Sequence, residues 1–125
     1  MGLAKRLVAL LSLASALGLA ATWSGALVDA NCFRSLENNK NPQDSLSSVD
    51  RDRGAEIVYC TPTLKTKSFA VVILDSGISF KLDPSGDAKA AELVREIGRH
   101  PHFMVDVSGE MSKHTIKVDS ITTAR

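Results

Sequence analysis

The stretch SFAVVILDSGISFKLD, residues 68–83, decides the fold of this chain. Phe69–Leu74 is a continuous apolar run of strand length. Ile78–Asp83 instead alternates, with Ile78, Phe80 and Leu82 on one face and Ser79, Lys81 and Asp83 on the other. That period of two is the signature of a half-buried strand. Between them, Asp75-Ser76-Gly77 fits a three-residue hairpin loop in which Gly77 supplies the left-handed residue. The segment predicts one antiparallel hairpin.

Beyond it, Pro84 ends the second strand. Asp87 is positioned to cap a helix over Ala88–Ile97, and Gly98 to stop it. Ala90, Leu93, Val94 and Ile97 fall at i, i+3, i+4 and i+7, which gives that helix one apolar face. Two further strands alternate, Phe103–Ser108 and Thr115–Ile121, with Gly109–Lys113 as the link between them. Upstream, Thr22–Ala30 predicts a first strand, with Gly25 as a point of close packing. Residues 33–59 are of another kind. Their centre, ENNKNPQDSLSSVDRDRG, predicts a long surface loop with one helical turn near Phe33–Glu37, returning to the core through Ile57, Val58 and Tyr59.

The first twenty residues predict a secretory leader. Lys5 and Arg6 precede an apolar run from Leu7 to Leu19, and small residues stand at Gly18 and Ala20. Residues 21–125 then make one domain with a single core, expected to be a monomer in the periplasm or outside the cell. Cys32 and Cys60 are the chain's two cysteines, and in an oxidising compartment they predict a structural disulfide. They are too far apart for a redox-active C-x-x-C pair. No apolar run after Ala20 approaches the length of a membrane span.

The resulting order is strand, long loop, strand, strand, helix, strand, strand. It fits a mainly β chain: a five-stranded Greek-key barrel with one helix between strands three and four, the OB-like architecture. The sequence also resembles small exported bacterial OB-fold proteins of uncharacterised function. The resemblance lies in Trp23-Ser24-Gly25-Ala26-Leu27-Val28-Asp29-Ala30-Asn31-Cys32 and in a second cysteine before strand two. It continues in Val105-Asp106-Val107-Ser108-Gly109 and Ile116-Lys117-Val118-Asp119-Ser120-Ile121. It covers most of residues 21–125 apart from 33–59, implies a compact exported barrel, and carries over no catalytic residues.

Chemistry is sparse. The chain has 15 basic and 14 acidic residues, and without Lys5 and Arg6 the balance turns slightly acidic. This disfavours nucleic acid, as do export and aromatics (Phe69, Phe80) that alternation turns inward. Asp50-Arg51-Asp52-Arg53-Gly54 begins like a calcium loop but has Gly54 and Thr61 where oxygen ligands belong. Serines, histidines and aspartates show no spacing of a catalytic triad. No cofactor, metal or catalytic residue is assigned, and an enzyme is not expected. The expected function is a non-catalytic binding or interaction module. Its ligand is an unknown protein or a small acidic molecule, met by Arg34, Arg51, Arg53, Lys65, Lys67 and Lys81 on the face formed by residues 33–59, strands two and three, and the loop between strands four and five. The alternative is a small exported metal-handling protein or enzyme using His100 and His102, which share one side of an extended segment. Pairing Val107 with Ile116 would put His114 near Gly109, far from both.

Overall fold

The computed structural model describes residues 20–38 and 46–124, the side chains of 46–52 excepted. The expected leader lies, but for Ala20, outside the described residues. The described residues are mixed α/β, with five strands and three helices among them: β1 (Ala21–Asp29), α1 (Ala30–Asn38), α2 (Leu46–Tyr59), β2 (Phe69–Val72), β3 (Ser79–Leu82), α3 (Pro84–Ile97), β4 (Met104–Ser112) and β5 (Thr115–Thr123). The strands close on themselves in the order β1-β2-β3-β5-β4. Every pairing is antiparallel except β3 with β5, where Lys81 and Leu82 lie parallel to Thr115 and Ile116.

The closed sheet has two apolar sides, and the sequence of β1 and β2 explains why. Both carry unbroken buried runs, Gly25–Val28 and Phe69–Val72. Alternate residues therefore serve different cores. Leu27, Phe69 and Val71 join Leu82, Val105, Val107, Ile116 and Val118 inside the barrel, where Ala90 and Val94 of α3 pack. Ala26, Val28, Ala70 and Val72 point outward and are covered by Phe33 of α1, Ile57 of α2 and Cys60. Gly25 lets the strands approach this closely, since a Cβ there would run into the Val72 carbonyl.

This second core corrects the expectation of a long loop over 33–59. The segment is largely helical, and its apolar residues (Phe33, Leu36, Ile57) lie against the outside of β1 and β2. The Cys32–Cys60 disulfide joins the two helical ends across a separation of 28 residues. The calcium-loop beginning at Asp50 falls within the backbone of α2, so it forms no ligating loop. Among the described residues three helices accompany the five-stranded sheet, where one was expected.

Two boundaries also move. The third helix starts at Pro84, with Asp83 rather than Asp87 as its cap. Proline at N1 has its fixed φ ready for the first turn, and Asp83 Oδ1 accepts from Gly86 N–H at 2.9 Å. The same Oδ1 accepts from Val118 N–H at 3.1 Å, so the cap also prolongs the short β3–β5 pairing. Asp87 instead ties the helix to β2, its Oδ1 accepting from Phe69 N–H at 2.9 Å. The last hairpin turns at Lys113-His114, not over Gly109–Lys113. Val107 faces Ile121, and Ser112 pairs with Thr115. Lys113 and His114 have φ of 50° and 65°, the double positive φ of a two-residue I′ turn that matches strand twist. Gly109 sits inside β4 at a register shift and is pressed against the Lys117 carbonyl. In the β2–β3 hairpin Gly77 does take the left-handed conformation, at φ 74°. The bonds Ile73 N–H to Ile78 O and Gly77 N–H to Ile73 O make that loop four residues long, one more than expected.

Burial pushes the Asp87 carboxyl above the ordinary carboxylate value of 3.8; the Phe69 N–H and Lys81 oppose the rise, and Asp83 adds to it. A carboxyl raised on folding binds its proton more tightly in the native state. Its protonation then favours folding fully below pH 3.8, and the gain disappears as pH climbs through the folded-state value. Urea unfolding of the parent and of Asp87→Asn across acid and neutral pH checks this. The stability difference should favour the parent most at the acid end and decline as pH rises. A difference independent of pH would contradict it.

Candidate functional site

A face that gathers three cations around one concavity begins at the end of β1. Asp29 Oδ1 accepts from Cys32 N–H at 3.1 Å, a side-chain cap that starts α1 where the strand stops. Because α1 starts there, Ala30, Phe33, Arg34 and Glu37 share one flank at i, i+3, i+4 and i+7. Phe33 is buried against β1 and β2, and Arg34 stays exposed. Opposite, β3 alternates with Phe80 and Leu82 turned to the barrel, which leaves Ser79 and Lys81 outside. The I′ turn brings up the third wall, Lys113, His114 and Thr115. Together these walls enclose an open groove of about 460 Å³, floored by Ala70 and closed at one end by Gly77 and Ile78.

Three permanent cations, Arg34, Lys81 and Lys113, line the groove with one carboxylate, Glu37. Arg34 is braced by donating to Asn31 Oδ1 at 2.9 Å. Lys81 Nζ lies 3.8 Å from Asp87 Oδ2 and donates to the Leu82 carbonyl at 3.3 Å. Its charge is thus shared between the groove and the base of α3. At the rim the His114 ring lies nearly parallel to Phe80, with centroids 6.0 Å apart. Phe80 in turn meets Trp23 at 6.5 Å. His114 therefore links the groove's rim to a partly buried Phe80–Trp23 pair whose rings are tilted by 56°.

The six cations singled out from the sequence do not form one surface. Arg34 and Lys81 come together. Arg53 packs beside Gly77, donates to the Leu74 carbonyl at 3.4 Å, and lines a separate hollow with Gly54, Ile57, Leu74 and Asp75. Lys65 belongs to a different hollow beside the C-terminal end of α3. Lys67 is exposed on the approach to β2, and the Arg51 side chain lies outside those described. Lys113 and His114 are the residues sequence reasoning missed. Their signal was an alternation continuing through Gly109 to Met111, which moves the turn beyond that glycine.

His100 and His102 line a smaller hollow of about 240 Å³ with Ile97, Phe103 and Met104. The His100 ring meets Phe103 edge-on at 6.1 Å. His114 lies in the other groove, and its turn at the far end of β4 replaces the register from which it had been placed near Gly109. Among the described residues no three ligating side chains gather in a way that would hold a metal ion. Among them, too, no helix is long and apolar enough to cross a membrane.

No protein-family model matches the chain, and neither does any curated protein or solved structure.

Proposed function

We propose that this chain is an exported, non-catalytic binding module of the OB type, which takes an acidic partner or small acidic ligand in the groove between α1, β3 and the β4–β5 turn. The convergence of Arg34, Lys81 and Lys113 on one concavity carries this reading. The OB assignment is supported by the closing order β1-β2-β3-β5-β4 and by α3 between β3 and β4. It is also the face on which OB barrels bind, across strands two and three and the turn between strands four and five. A groove of this volume suits a small ligand or a short oligomer, since such sites run to about 300–1,000 Å³. Export is supported by the disulfide, which persists in oxidising compartments.

The test is a titration of the isotope-labelled protein, followed by amide NMR, with a galacturonate oligomer, a glutamate-rich peptide and inorganic phosphate. At least one of these anions should shift the amides of Arg34, Lys81 and Lys113, and added salt should weaken it. Arg34→Glu and Lys113→Glu should each reduce affinity about tenfold or more, the scale of one charge-assisted hydrogen bond. Both side chains are exposed, so neither change should disturb folding. Unchanged affinity in the double variant would end the proposal.

A further inference from the structure

A second surface, remote in sequence from the first groove's walls, carries the same charge around a hydrophobic centre. Between α2 and β2 the chain makes a tight turn in which Thr66 N–H donates to the Thr63 carbonyl at 3.1 Å. The Thr66 hydroxyl accepts from Thr63 N–H at 3.0 Å and donates to Asp29 Oδ2 at 3.0 Å. Asp29 is the residue that caps α1, so the turn is bolted to the end of β1. Thr61, Pro62 and Thr66 are buried, yet Leu64 at the tip is 76% exposed.

A lone exposed leucine is ordinary. This one forms the wall of a groove of about 550 Å³ whose floor is Val94 and whose rim carries Lys65, Arg95 and Arg99. Gly98 leaves the floor open, with nothing within 4 Å of where a Cβ would stand. Arg95 also reaches Glu92 at 3.4 Å along the helix, which leaves Lys65 and Arg99 as the cations committed to the groove. A rigid apolar wall flanked by Lys65 and Arg99 complements a segment with the opposite pattern, a bulky apolar side chain between carboxylates. The chain's own first twenty residues have no Asp or Glu and include Lys5 and Arg6, so their charge does not fit the rim.

We infer that the groove between the Thr63–Thr66 turn and the C-terminal end of α3 is a docking site for an acidic peptide segment of a partner protein. The segment's apolar side chain would lie against Leu64 over the opening at Gly98, above the buried Val94, and its carboxylates would meet Lys65 and Arg99. A leucine anchor presented by a preorganised turn loses little entropy on binding, which makes it suited to a short linear segment.

The probe is an acetylated pentapeptide with a central leucine flanked by two glutamates on each side, titrated into the labelled full chain. It should shift the amides of Leu64, Lys65, Arg95, Gly98 and Arg99. The same peptide with central alanine should bind about tenfold more weakly, and the version with lysines for glutamates should not bind. Leu64→Ser should cost about tenfold in affinity while the urea midpoint stays unchanged, because the side chain is already in water. Arg99→Glu should act likewise. Four results would overturn the inference: no shift at these amides, equal binding of the alanine peptide, concentration-dependent self-association through these residues, or their engagement by phosphatidylglycerol vesicles but not by the peptide.

Discussion

A Phe33→Ala variant is expected to unfold with about 3–5 kcal/mol less free energy than the parent chain, the usual cost of truncating a buried phenylalanine. Phe33 is 2% exposed and packs with Val28, Ala70, Val72, Ile57 and Cys60 on the outer side of the sheet. Removing the ring leaves a cavity between α1 and the strands that a helix tied to Cys60 cannot easily collapse. Phe33→Leu should keep most of the stability, since it preserves bulk. Arg34→Ala, one residue along and exposed, should change it by no more than about 0.5 kcal/mol. Denaturant melts of the three variants make the comparison. Had residues 33–59 been a surface loop, all three would melt together.

The second large effect belongs to the disulfide. A Cys32→Ser/Cys60→Ser variant should lose about 3–4 kcal/mol, the loop-closure entropy of a bond spanning 28 residues. One feature adds to this figure, and another changes the urea slope. The bond lies within the outer core, where Cys60 is 1% exposed, so each serine introduces a hydroxyl into an apolar setting. The unfolded chain also becomes less compact, which should steepen the dependence on urea. Melts with and without reductant on the parent, compared with the serine variant, separate the cross-link from the substitution. Because the bond holds the α1 wall, reduction should also weaken anion binding in the groove at temperatures well below the melt.

How much of this was legible depended on whether local chemistry and tertiary context agreed. The β2–β3 hairpin was readable because alternation over Ile78–Leu82 and Gly77 pointed to one answer. The disulfide was readable from the cysteine count and the expected leader. Helix α2 was not, since serine and aspartate over Leu46–Asp52 favour caps and turns over helix interiors. Such a helix owes its stability to Ile57, Cys60 and the bond rather than to propensity. The unbroken apolar run of β2 was in fact a clue to a second covering layer, because a strand wet on one face alternates. The I′ turn was hidden for a simpler reason. Lys113-His114 lacks the Asn-Gly or Asp-Gly chemistry that announces such turns, and Gly109 offered a false one. That single misplacement left His114 outside the expected loop and Lys113 unnamed within it.

The stapled helical segment is an integral layer of the molecule and one wall of its charged groove. Native-state hydrogen exchange of the oxidised protein tests it most directly. The amides of Phe33–Leu36 and Ile57–Cys60 should exchange with protection comparable to Val28 and Val71 in the strands beneath them. Exchange of those amides at the rate of an unstructured peptide, with the strands still protected, would contradict it.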